Sequence, residues 1–126
     1  MRAIILNEFV TRLDNGPWEA MTPHALMAES QDFILLRRDP WVIAVCVGRP
    51  RTLSNQKRKR ELIRSLPIRV VKIAFVAVFQ SRAEFQQHIE AIPSNTSVWF
   101  ADEPDHIIHF GRVPFFRLKP RLCETE

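Results

Sequence analysis

The amino-acid sequence predicts an α/β fold, bordering on α+β: a mixed sheet of about five strands with two strand–helix–strand crossovers and helices packed on its faces. Three observations carry this. Trp41–Val47 and residues 68–79 are apolar runs of strand length, and the second is apolar on both faces from Ile73 onward, as in a strand covered on both sides. Between them, the stretch that begins at Ser54 has helical spacing and stops at Pro67. Asp39-Pro40 is all that separates Phe33–Arg38 from Trp41–Val47, which dictates an antiparallel hairpin.

Taken in order, residues 4–14 read as an amphipathic helix with Leu6, Phe9, Val10 and Leu13 on one side, ended by Asn15-Gly16-Pro17. Thr22, followed by Pro23, caps a short helix through Ala25 to Glu29. After the hairpin, the helix from Ser54 reaches about Leu66, and the strand of residues 68–79 lies parallel to Trp41–Val47 through a right-handed crossover. Ser81-Arg82-Ala83-Glu84 is a capping box, and Phe85, Ile89 and Ile92 form the buried stripe of the next helix. Ser97–Ala101 and His106–Phe110 are strands around an acidic turn, and Val113–Leu118 adds an edge. The expected core includes Phe9, Leu13, Val45, Val71, Ile73, Phe75, Val76, Phe85, Ile89 and Trp99.

The 126 residues suit a single domain, with 119–126 as a flexible tail. An apolar fraction of 46% against 25% charged residues excludes wholesale disorder. With only Cys46, inside an apolar run, and Cys123 there is no disulfide framework. The longest apolar runs have seven residues, whereas a membrane-spanning helix needs about 20, so the expectation is a cytoplasmic protein with no membrane partner. Net charge is +4, but it is localised. Residues 49–64 hold seven Arg and Lys against Glu61, a net +6 that leaves −2 for the rest of the chain.

That segment supplies the candidate site. Arg49 and Arg51 sit where the first parallel strand ends, and ligands of open α/β sheets bind beyond such ends. Guanidinium groups and the amides of a helix start favour a phosphate or carboxylate. In the helix itself, with Leu62, Ile63 and Leu66 inward, Lys57, Arg60 and Arg64 lie opposite, while Arg58 and Lys59 fall nearer the apolar flank. The first two turns lack any apolar residue and are expected to project from the body. A cationic stripe of this kind suits a phosphate backbone, and the scarcity of aromatics nearby favours a duplex over a single strand.

Other chemistries find little support. Three glycines build neither a dinucleotide fingerprint nor a phosphate-binding P-loop, and no Gly-x-Ser-x-Gly elbow occurs. His106 and His109, three apart in a strand, point to opposite faces and do not share a zinc ion. Cys46 is mid-strand and a poor nucleophile. No cofactor, metal site or catalytic residue is assigned. The leading expectation is a small non-enzymatic nucleic-acid-binding or regulatory protein using Arg49, Arg51, Lys57, Arg58, Arg60 and Arg64. A second is an interaction module or inhibitor that docks the same helix on an acidic protein surface. A third is a small phosphate-handling enzyme in which Asp102 and Glu103 face Arg49 and Arg51 across the strand ends.

Overall fold

β-Branched and aromatic side chains crowd the middle of the chain, and they pair as the two-sided apolar pattern requires. The computed structural model describes residues 2–14, 18–21, 33–48, 56–70, 72–93, 95–109 and Leu118. β3 (Trp41–Val47) and β4 (Lys72–Phe79) run parallel, from Trp41 opposite Lys72 to Val47 opposite Val78. β5 (Thr96–Phe100) continues in parallel on the other side of β4. β2 (Phe33–Arg38) pairs antiparallel with β3 through the Asp39-Pro40 turn, whose peptide is cis. β1 (Glu19–Met21) and β6 (Ile107–His109) close the edges in antiparallel register, so the sheet order is simply β1-β2-β3-β4-β5-β6. The expected mixed sheet is present, with six strands among the described residues.

Alternation divides the strands into two cores. Ile43, Val45, Val47, Val76, Val78 and Trp99 face α1 (Arg2–Arg12), whose Leu6 and Phe9, with Leu13 just beyond it, close over them. Phe9 meets Trp99 edge to face, with ring centroids 5.5 Å apart. Val42, Ala44, Cys46, Phe75, Ala77, Phe79, Val98 and Phe100 face the other way, under Ile63 of α2 (Gln56–Arg64) and Phe85 of α3 (Arg82–Gln87). Both crossover helices therefore share one face, as two successive crossovers of one hand require. Ser81 caps α3 by accepting from the Glu84 amide, and the Glu84 carboxylate accepts in turn from the Gln80 N–H at 2.7 Å.

Several expectations shift. β4 starts at Lys72 rather than residue 68. β1 is an additional strand that the sequence reading did not contain. Ile89 is 44% exposed, because α3 stops at Gln87 and the short 3₁₀ turn Ile89–Ala91 rotates it off the stripe of Phe85. Ile73 is only partly buried, while Phe9, Leu13, Val45, Phe75, Val76, Phe85 and Trp99 are core residues. The helix from Thr22, the cap at Ser54, Val71 and the tail lie outside the described residues, as does the expected edge strand except Leu118, which bridges to Leu13. No helix among the described residues is long and apolar enough to cross a membrane.

Because Phe9 is fully buried and fills the contact between α1 and Trp99, Phe9→Ala leaves a cavity beneath α1. Urea unfolding is expected to show a loss of about 3–5 kcal/mol, the usual range for an aromatic truncated in a core.

Candidate nucleic-acid interface

Parallel pairing sends the carboxyl ends of β3, β4 and β5 to one edge. The ladder continues one step past the strands there: Gly48 donates its N–H to Val78, Ala101 to Phe79 and Asp102 to Gln80, at 2.8, 2.9 and 3.1 Å. Gly48 is buried, and a Cβ at this position would overlap the Phe79 ring, so only glycine lets the chain leave β3 beside that ring. Phe79 in turn is packed by Phe85 and stacked on His88. Backbone bonds and packed rings thus build this edge, and the described chain resumes at Gln56 of α2. Arg49 and Arg51 belong to that segment and lie outside the described residues.

α2 sorts its charges by angle. Ile63 is fully buried, Leu62 and Leu66 are partly so, and Lys59, one turn before Ile63, shares their stripe with only 3% exposure. Arg60 lies flat over Phe75, its guanidinium carbon 4.9 Å from the ring centroid, and is half-buried. This corrects two expectations. Arg60 is a flank residue that packs on the sheet rather than a member of the outward stripe, and the first turns of α2 dock instead of projecting. The long stems of Lys59 and Arg60 cover apolar surface that no leucine supplies. Lys57, Arg58 and Arg64 are exposed, with Glu61 as the acid beside them. Of the six basic candidates, three accordingly form one outward cationic face.

The acidic turn after β5 sits at the same edge as Gly48, two strands away, as the phosphate-enzyme reading requires. Its carboxylates, however, are taken up by the fold. Glu103 accepts from Arg82 Nε at 2.8 Å, and that guanidinium also covers the Phe100 ring. Asp105 is ion-paired with Arg12 at the end of α1, and Arg12 Nε together with the Trp99 indole donates to the Pro104 carbonyl. Glu84 serves the start of α3. Asp102 alone of this group is exposed. Among the described residues no three His, Cys, Asp or Glu side chains converge to hold a metal ion. Arg12 and Arg82 had no signal in sequence, since their partners are over 90 and over 20 residues away.

A model of the BsuBI/PstI restriction endonuclease domain matches residues 22–112, from before β2 to beyond β6. The chain belongs to the BsuBI/PstI restriction endonuclease domain family. The type II restriction enzyme BsuBI of Bacillus subtilis is 34% identical over 61 residues, which are 48% of this chain and 19% of that enzyme. The structure of SdaI restriction endonuclease superposes with a TM-score of 0.51 at 25% identity, covering 65% of this chain and 26% of that one. The chain thus spans about a fifth of BsuBI and about a quarter of SdaI in length. Nucleases that hydrolyse DNA with metal ions hold them on converging carboxylates. The described donor set of this family member does not fit such a group.

A hydroxyl–imidazole pair lies away from this edge. Ser97 Oγ and His109 Nδ1 are 2.8 Å apart on the face of Trp99, tying β6 to β5. Burial lowers the pKa of His109. The unfolded chain therefore takes up a proton first as pH falls through about 6.5. Stability from the neutral imidazole is complete above that pH and declines as pH drops toward the lower folded value. Unfolding midpoints measured at about pH 7.5 and about pH 5.5 should fall on acidification, and His109→Gln should reduce that fall.

Proposed function

We propose that this domain binds duplex DNA, setting Lys57, Arg58 and Arg64 of α2 against the phosphate backbone, with Arg49 and Arg51 of the preceding segment alongside. The observation that carries the reading is the coincidence of two facts. The family is one of restriction endonucleases, and α2, the crossover helix between the parallel strands β3 and β4, turns three exposed cations outward. The face is rigid where it must be. Lys59, Ile63 and Arg60 fix the helix to the sheet, so the exposed cations are presented on a fixed spacing instead of being recruited from a mobile arm.

The chemistry favours phosphates over bases. Lys57, Arg58 and Arg64 offer no aromatic surface for stacking, which disfavours a splayed single strand. Localised positive charge on a molecule otherwise net negative also orients approach, bringing α2 to the polyanion first. Three phosphates neutralised by α2 imply a slope of log affinity against log salt near −3, since each contact contributes about −0.9.

Fluorescence anisotropy with a short labelled duplex across a salt series tests this. The wild-type chain is expected to lose affinity with a slope of about −3 or steeper, and Lys57→Ala with Arg64→Ala to flatten it by about two, at unchanged melting temperature. Arg60→Ala, by contrast, is expected to lower stability by about 0.5–1 kcal/mol through its lost ring contact while leaving most of the slope in place. An affinity indifferent to salt, or a double variant that binds like wild type, overturns the reading.

A further inference from the structure

We infer that the domain holds duplex DNA intact: its DNA binding needs no divalent cation, and the domain does not itself hydrolyse the phosphodiester. This rests on the DNA-binding reading above and goes beyond it by assigning what happens to the bound strand. It follows from a disagreement between the family and the residues. Magnesium is bound through oxygen ligands, with carboxylates supplying the charge, and a two-metal phosphodiester site needs several that converge. The four strands that make the centre of the sheet read FILLRR, WVIAVCV, KIAFVAVF and TSVWF, without one aspartate, glutamate or histidine.

The deficit is sharpest where a ligand would sit. Two rows of paired residues run across the sheet toward its carboxyl edge. One is Phe33, Cys46, Ala77, Val98 and Ile108; the next is Val47, Val78, Trp99 and Ile107. Neither contains a hard oxygen donor, and the Cys46 thiol is turned onto the Val76 carbonyl at 3.5 Å. Of the described acids beyond the edge, Glu84, Glu103 and Asp105 are engaged with an amide or an arginine, and releasing them would undo a helix start and two anchors of the turn. Asp102, the one exposed carboxylate among these described acids, does not by itself make a magnesium site. Among the described residues the edge presents apolar rows and carboxylates already engaged, which gives a metal ion no converging set of ligands.

The test uses the full chain with two readouts in the same buffers: anisotropy on a labelled duplex and nicking of supercoiled plasmid. Each is run in EDTA, magnesium or manganese at matched ionic strength, for wild type, Asp102→Asn, and Asp32→Asn with Glu29→Gln. The last variant is included because those two acids lie outside the described residues. The expected result is an affinity equal within about twofold in all three buffers and plasmid that stays supercoiled with every variant. A gain in affinity of about tenfold with either metal overturns the inference, as does nicking that disappears in one of the variants. Failure to bind in any buffer is a different failure: it overturns the DNA-binding reading and this inference with it, whereas metal-dependent gain or nicking leaves DNA as the partner.

Discussion

Parallel pairing of β3 with β4 is the constraint on which the other features depend. Both strands are apolar on both faces, so neither side of the sheet can be left to water. Parallel neighbours cannot be joined by a hairpin, so the chain must cross over through a helix, and α2 and α3 are those crossovers. Their shared face leaves the opposite one to α1, which is why an N-terminal helix with only a modest apolar stripe is recruited to cover Trp99 and its neighbours. Parallel running also fixes which ends coincide. Gly48, Gln80 and Asp102 come to one edge through the same pairing that builds the core.

Electrostatic sorting follows from that arrangement. Cations and acids both occur near the carboxyl edge, yet they meet different fates. Glu103 and Asp105 are drawn onto Arg82 and Arg12, partners that secure the turn after β5 to α3 and to α1. These partly exposed pairs each contribute at most about a kilocalorie to stability, and their larger consequence is to occupy the carboxylates. On α2 two cations, Lys59 and Arg60, are spent on packing, and the remaining three face outward. The result, among the described residues, is a helix with three outward cations and an edge whose carboxylates do not converge on a metal ion, on a scaffold whose relatives are endonucleases.

Much of this scaffold was legible in sequence because it rests on local signals of long reach. Seven consecutive apolar residues identify each of β3 and β4, and the brief Asp39-Pro40 turn fixes the antiparallel partner. Ser81 and Glu84 announce α3 by capping chemistry. What stayed hidden depends on tertiary context. β1 is three residues, Glu19-Ala20-Met21, whose strand character comes from pairing with β2 and from no pattern of its own. Ile89 has helical spacing from Phe85, but the helix ends between them. Lys59 is polar by type and buried by position, since i, i+4 spacing to Ile63 outweighs its charge once the stem can lie along the sheet. The basic segment was visible as composition, while the division of its cations into packed and outward sets was not. Family membership rests on the match over residues 22–112.

The most direct measurement of the central claim is a map of backbone amide chemical shifts of the full chain with and without a short duplex. The account predicts perturbations concentrated in α2 and the segment from Gly48 into it, led by Lys57, Arg58 and Arg64, with α1 and β6 unchanged. Perturbations centred on α1, with α2 silent, would contradict it.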